Sequence, residues 1–598
     1  MSRPISVHTT EEIINRPVLK LQETLSIPRV IFNITTTSDW MSLDLTGAET
    51  LLNLNVSVLE GENAPNLNYD LGSSRLSLGK TSFDTTLVTI EITVGVLGLE
   101  IGTKFGLTIT KGDIGYSQIK VYNYNLDQPN LVSNITHWTS EEALNDFSYS
   151  LSDETLLHPS AFFSLDSTPR IPESVLAFYY PWYGNPTWNT DWNHWEDVNH
   201  DPNSINNGTR DVASTHYPSL GAYDSNDPNT VKHHIRMAQA AGIDAFIASW
   251  WGINSFEDNA MSNLLNQAAA SNFHITVYFE TAPYWNLDEV NAYNEILGAL
   301  RYIYDNYATH PAFYTVELGT RTEPLIFLYV TWAWSVEFWQ SIINQLRTEG
   351  KNMLFQGDTQ DMSYLNAFDG IHDYATVMNP DLEEYYRTSS ISVRVFEEYI
   401  GESKMFAANL SPGFNASEVN PSLNIVSRGG GQFFDNAWTY STSAGADMIL
   451  ITSFNEWHEG TEVENSRKYK GQYLEAIKQW RQYIQPGYVF KGNLTTLNNI
   501  TEAMSMFGWA SLVYSDNVFL DQVNNTIKAS RASYDAANYI DAYIKAREAI
   551  NLILGYSSTT SGPLTIPTSA DWLFPTLLGF IALTILFKRF RRRKEFRR

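Results

Sequence analysis

The feature that most constrains this chain is a rhythm sustained from Pro172 to Tyr488, in which a short apolar run, a loop and an amphipathic stretch follow one another repeatedly. The apolar runs are VLAFYYPW (175–182), DAFIASWW (244–251), FHITVYFE (273–280), PLIFLYVTW (324–332), NMLFQGD (352–358), FDGIHDY (368–374), KMFAANLS (404–411) and DMILITSF (447–454). Between them lie helical patterns such as NTVKHHIRMAQAAG, WSVEFWQSIINQLRTEG and FFDNAWTYSTSAGA. Strands that read as unbroken apolar runs and alternate with helices indicate a parallel sheet covered on its outer face. Eight such units predict a (β/α)8 barrel over 172–488. A doubly wound open sheet is the alternative, but no Gly-rich phosphate loop follows any strand.

The flanks read differently. Residues 25–168 carry short alternating runs (VIFNIT, LLNLNVSVL, TLVTIEITVGVL, KFGLTIT, IKVYNYNL) separated by Gly, Asn, Asp and Ser. That spacing predicts a β-sandwich, serving either as a carbohydrate-binding module or as a spacer. Residues 1–24 form an N-terminal extension without an apolar leader core. Residues 489–556 carry apolar faces of helical period, predicting a helical hairpin, and 557–570 is a Ser/Thr/Pro-rich stalk. The segment WLFPTLLGFIALTILF has no charge and runs into KRFRRRKEFRR, so 571–588 is expected to be a single transmembrane helix with 589–598 as its basic cytoplasmic tail. That orientation puts the rest of the chain outside the cell or in a lumen, in agreement with nine N-x-S/T sequons, at Asn33, Asn55, Asn134, Asn207, Asn409, Asn415, Asn493, Asn499 and Asn524.

Composition narrows the chemistry. The chain has no cysteine, which excludes disulfides, thiolate metal sites and a cysteine nucleophile. Its last eleven residues carry a charge of +7, so the remainder holds −34 of a total of −27, a field that repels nucleic-acid phosphate. With 17 Trp, 33 Tyr and 30 Phe in 598 residues, aromatic rings exceed what a core usually takes up. Many stand at the predicted C-terminal ends of barrel strands, where such barrels keep their active sites. There YYPWYGNP, SWWG, FETAPYW, YVTWAW, GDTQD, HDY, LSPGFN and TSFNEWHEGTEVE mix rings with acids, as a cleft that stacks sugars and binds their hydroxyls would.

The densest candidate is Asn455-Glu456-Trp457-His458-Glu459. Glycoside cleavage needs one carboxylic acid to protonate the leaving oxygen and a second carboxylate as base or nucleophile. A tight helical turn after the eighth strand would aim Glu456 and Glu459 to one side. The competing reading is a solvated acidic loop, since Glu462 and Glu464 follow. No HExxH or other dense His spacing supports a metal site, no Gly-x-Ser-x-Gly elbow supports a serine hydrolase, and no cofactor is expected. A structural Ca²⁺ held by surface oxygens is compatible with any acidic protein.

FYYPWYGNP with its Trp/His-rich loop, YPSLGAYDS (Tyr217 to Ser225), AGIDAFIASWWG, HPAFY (His310 to Tyr314), SPGFN and ITSFNEWHEGTEVE together resemble glycoside hydrolase family 99, the endo-α-1,2-mannosidase and endo-mannanase family, from about Val175 to Trp480. The resemblance implies a retaining endo-glycosidase acting on α-mannosidic bonds without an enzyme nucleophile. Glu456 would deprotonate the substrate's 2-hydroxyl, which closes a 1,2-anhydro sugar, and Glu459 would be the general acid/base. It further implies that Tyr180, Trp182 and Tyr183 line the cleft floor, with Trp250, Trp251, Glu280, Tyr284, Asn455, Trp457 and His458 as substrate contacts. Two departures, GTEVENS after the acid motif and FETAPY after strand three, bear on the subsites. The expected partners are a glycan or polysaccharide and, through the C-terminal helix, a membrane; the sequence carries no signal of oligomeric state. The alternatives are a non-catalytic surface scaffold that binds carbohydrate, and a glycan-processing transferase on a related barrel.

Overall fold

The computed structural model describes residues 170–559 except 198, and the backbone of the strands between Arg29 and Ser150. Ten strands of the N-terminal region lie in two five-stranded sheets whose pairings are all antiparallel. In one, the central strand Arg29–Thr36 pairs with Val88–Gly95 and Gly115–Asn125; in the other, Trp40–Thr46 pairs with Arg75–Gly79 and Gly106–Gly112.

Each of the eight expected barrel strands is present: β1 (Ser174–Tyr179), β2 (Ala245–Trp250), β3 (His274–Phe279), β4 (Arg321–Leu328), β5 (Leu354–Asp358), β6 (Gly370–His372), β7 (Met405–Leu410) and β8 (Met448–Ile451). They run parallel in the order β3-β2-β1-β8-β7-β6-β5-β4. The sheet closes through Tyr278↔Phe327 and Phe279↔Leu328 between β3 and β4, which decides against the open sheet. The helices are α1 (Pro228–Ala241), α2 (Phe256–Ser271), α3 (Glu289–Ile303), α4 (Val336–Thr348), α5 (Leu382–Ile400), α6 (Gln432–Ala444) and α7 (Gln472–Ile484). Between β5 and β6 the crossover holds only a 3-10 turn, Met362–Asn366, a departure from strict alternation.

Alternation along each strand builds the interior. Leu176 and Phe178 of β1, Ala245 and Ile247 of β2, Leu325 and Phe327 of β4, Met405 and Ala407 of β7, and Met448 and Leu450 of β8 join one buried cluster. The intervening residues pack outward, as where Tyr179 stacks on Phe246 at 4.6 Å. Helix α4 buries Phe338, Trp339, Ile342, Ile343 and Leu346, a stripe of period 3.6, and starts at Ser335, whose hydroxyl accepts the Phe338 amide.

The chain divides into two compact units at Asn498/Asn499. The C-terminal region forms three helices rather than a hairpin: α8 (Leu494–Val513), α9 (Asn517–Asp535) and α10 (Tyr539–Thr559). Ala503, Ala510, Phe519, Val523, Ile527, Ala549, Ile550 and Ile553 form their core, and Tyr514 adds a third ring beside the stacked Phe519 and Tyr556. Because α10 continues through Thr559, the first residues expected to belong to the stalk are helical. No helix among the described residues is long and apolar enough to cross a membrane; the segment expected to do so (571–588), the basic tail and the extension 1–24 lie outside the described residues.

Candidate active site

At the end of β8 two buried side chains anchor a short turn. Asn455 accepts the Tyr180 amide at 2.8 Å and donates to the Tyr180 carbonyl at 3.1 Å, pinning the turn to the end of β1. Trp457 donates its amide to the Tyr183 hydroxyl at 2.9 Å and its indole N–H to the Tyr223 hydroxyl at 3.0 Å. Residues 457–460 then form a reverse turn rather than a helix, with the Gly460 amide 3.3 Å from the Trp457 carbonyl. Gly460 has φ +59°, and a Cβ there would stand 2.7 Å from the Asn415 carbonyl, so the turn requires glycine. Between and after the anchors stand Glu456 and Glu459.

Glu456 is buried, and its amide donates to Ser453 Oγ at 2.7 Å. Its Oε1 accepts the His458 amide at 3.0 Å, whereas its buried Oε2 has no protein partner. Burial, then the neighbouring Glu459 charge, push its carboxyl well above the ordinary value, against the pull of the His458 and Glu459 amides. Glu459 is half-buried; desolvation raises it to about 7, and a hydrogen bond to Oε2 from the Tyr374 hydroxyl at 3.1 Å opposes the rise. Tyr374 in turn meets the Tyr180 hydroxyl at 2.5 Å.

Two further acids face the same region. Burial raises Glu280 to about 8, although Ser249 Oγ donates to it at 2.7 Å. Burial, with the charge of Asp373, raises Asp358 to about 7. Among the described residues none of these four carboxylates makes an ion pair, so each gains by keeping its proton. The described residues also contain no group of three or more His, Asp or Glu placed to hold a metal ion.

The sequence-selected residues divide into two sets. Tyr180, Trp182, Trp251 and Glu280 gather around the acid pair: Trp182 stacks on His194 at 4.4 Å and lies 4.6 Å from Tyr180, and Trp251 donates to Ser249 Oγ at 3.0 Å. His458 is half-buried beside them, its ring against the His194 carbonyl. Tyr183, Trp250, Asn455 and Trp457, expected as contacts, are instead fully buried and hydrogen-bonded within the protein. Trp250 donates to Asp258 at 2.8 Å and stacks on Phe279 and Tyr302. Tyr284 is buried too, stacked on Phe279 at 5.6 Å.

Tyr374, Asp358 and Ser249 went unselected. Tyr374 lies 85 positions from Glu459 and has no motif of its own; only the strand-end location of HDY marked it. It is held by Asn409, whose Nδ2 donates to the Tyr374 carbonyl at 2.8 Å. Asn409 is one of the nine sequons, and its burial in β7 removes it as an attachment site for sugar.

A closed (β/α)8 barrel whose C-terminal rim pairs two proton-holding carboxylates among aromatic rings is the apparatus of a glycosidase. The family model for glycosyl hydrolase family 99 matches residues 170–483, and the chain belongs to that family. A glycoprotein endo-alpha-1,2-mannosidase of Mus musculus is 27% identical over 363 residues, covering 53% of this chain and 76% of that protein. A glycoprotein endo-alpha-1,2-mannosidase-like protein of Homo sapiens is 26% identical over 357 residues, 53% of this chain and 76% of the other. The solved GH99 endo-alpha-mannosidase of Bacteroides thetaiotaomicron is 26% identical, with a TM-score of 0.45, and spans 53% of this chain and 98% of its own.

Proposed function

We propose that this glycosidase cleaves an α-mannosidic bond, α-1,2 in the first instance, inside a glycan or polysaccharide and with retention of configuration. The observation that carries the reading is the buried, partnerless Oε2 of Glu456 beside a Glu459 that holds its proton up to about 7. In the first step Glu456 as carboxylate takes the proton of the substrate 2-hydroxyl. The freed oxygen attacks the anomeric carbon as the glycosidic bond breaks, and Glu459 gives its proton to the departing oxygen. In the second step Glu459 takes a proton from water, the water oxygen opens the 1,2-anhydro ring at the anomeric carbon, and Glu456 returns its proton to the sugar oxygen. The singly protonated pair is the active form in both directions, and two coupled carboxylates in a desolvated pocket favour that form. Tyr374 positions Glu459, and the rings of Tyr180 and Trp182 supply the apolar wall against which a pyranose rests.

The endo-α-mannosidase names of the relatives support the substrate class. A transferase using a nucleotide sugar needs cations or a metal for the diphosphate, and the described residues hold no group of three or more His, Asp or Glu placed to bind one. Incubation with α-1,2-linked manno-oligosaccharides, with the first-formed anomer read by NMR, tests the reading. Release of an α-configured reducing end is expected. A β-configured first product would exclude the anhydro-sugar route, and glycan binding without release would leave the scaffold.

A further inference from the structure

All four exposed tryptophans among the described residues stand at the catalytic end of the barrel, and on one side of it. Trp188 (51% exposed), Trp251 (37%), Trp285 (48%) and Trp332 (65%) follow β1, β2, β3 and β4 in turn. These strands are consecutive around the barrel, and their register sets Trp250 beside Phe279 and Phe279 beside Leu328. Trp251, Glu280 and Tyr329 therefore leave the sheet at one level, and Trp285 and Trp332 follow within a turn. Two of the indoles are tethered by their N–H groups. Trp251 donates to Ser249 Oγ, which holds Glu280. Trp285 donates to Thr281 Oγ1 at 3.1 Å, and that hydroxyl is bonded to the Tyr329 carbonyl at 2.7 Å. Scattered apolar side chains on a surface need no explanation, but a run of the largest one on four successive loops beside an active site does.

Charge on the same loops says what such a surface takes. No Lys or Arg occurs in 180–209, 237–300 or 324–346, while Asp191, Glu196, Asp197, Asp288, Glu289 and Glu337 do occur there. An anionic chain or an anionic bilayer would meet like charge there, the one Lys or Arg of the four loops being Arg210, stacked on Trp192. Neutral pyranoses would not, and their C–H faces pack on indole rings.

Building on the mannosidase reading, we propose that the four indoles form a platform for a run of uncharged sugar rings extending from the acid pair over the β1–β4 side. The enzyme then prefers long neutral chains and discriminates against phosphorylated or uronate-bearing ones.

The experiment compares wild type, Trp285→Ala, Trp332→Ala and the double variant on a ladder of neutral α-manno-oligosaccharides of increasing length, and on mannose-phosphate-bearing counterparts. Melting curves check that each variant folds. For each single variant kcat/KM relative to wild type should fall as the chain lengthens, by about five- to tenfold on the longest, through KM. The phosphorylated ladder should be processed at least about tenfold less efficiently by the wild type. Equal losses at every length, equal use of phosphorylated chains, or binding of phosphatidylcholine vesicles that the double variant loses would each overturn the platform. Should the wild type cleave nothing, the mannosidase reading fails alone. Calorimetric binding of the same ladder then decides the platform, supporting it if affinity grows with length only when Trp285 and Trp332 are present and overturning it otherwise.

Discussion

In a nine-residue stretch beyond β8, Glu456 to Glu464, the chain places four glutamates in two opposite situations. Glu456 and Glu459 lie on the turn, meet no cation and hold their protons unusually tightly. Glu462 and Glu464 are buried at least as deeply but are spent on structure. Glu462 binds Arg428 at 2.8 Å and His216 at 3.0 Å, and the same Arg428 nitrogen donates to the Gly460 carbonyl at 2.8 Å. The Arg428 guanidinium is itself held between the rings of Tyr469 and Tyr473. Glu464 accepts the Tyr223 hydroxyl at 2.9 Å and lies 3.2 Å from His234 Nε2. Tyr223 in turn accepts the Trp457 indole and the Asn455 amide, so the paired acids hold the turn on which the unpaired acids work. Neighbours in sequence differ in their surroundings because a guanidinium or imidazole reaches one pair and not the other.

The contrast breaks most visibly in turnover. Glu459→Gln removes the proton donor and should lower kcat about 10³-fold on substrates with poor leaving groups, while calorimetry shows retained glycan binding. Glu456→Gln should be similarly damaging. Next comes stability. Glu462→Leu strips Arg428 and His216 of their buried partner and should cost about 3–5 kcal/mol in urea unfolding, whereas Glu456→Gln should not destabilise the protein. A Glu462→Leu protein as stable as wild type would show the two pairs to be less distinct than their surroundings imply.

A finer test is the pH profile. On the proposed mechanism the singly protonated pair is the active form, so kcat/KM should fall as pH rises through about 7 and fall again at low pH once both carboxyls are protonated. The Tyr374 hydrogen bond favours the ionised form of Glu459. Tyr374→Phe should therefore move the alkaline limb upward, by about half a unit. A downward movement would mean that the hydroxyl stabilises the acid instead. The smallest effect concerns Glu280. Its carboxyl is raised from 4.5 to about 8, so between those values the folded chain holds a proton that the unfolded chain releases, and stability drops as pH climbs through that window. Glu280→Gln removes that loss. The variant's Tm should match wild type at about pH 5 and exceed it at about pH 8.5, and a gap that closes with rising pH would contradict the burial account.

Legibility in the sequence followed the range of the interactions. The eight strands were visible because full burial writes each as an apolar run, and the acid pair because Glu456 and Glu459 are three residues apart in a motif-rich segment. Trp250 and Trp251 are adjacent and look alike, yet one is fully buried on Asp258 and Phe279 and the other is open to solvent, a distinction set by strand alternation at the rim. The helix absent from the expected hairpin is α9, whose sequence is mostly polar, its buried face marked only by Phe519, Val523, Ile527 and Tyr534.

By itself, then, the sequence determined the barrel, the neutral-to-acidic character of its rim and a pair of glutamates three positions apart beyond its last strand. These are recorded in local period, composition and spacing. Tertiary structure decided which acids lack a cationic partner, that Tyr374 beyond β6 meets Glu459 beyond β8, and that Asn455, Trp457 and Tyr183 are buried and hold the turn. Those outcomes depend on contacts between residues tens to hundreds of positions apart, and on the exclusion of water that only a closed barrel provides.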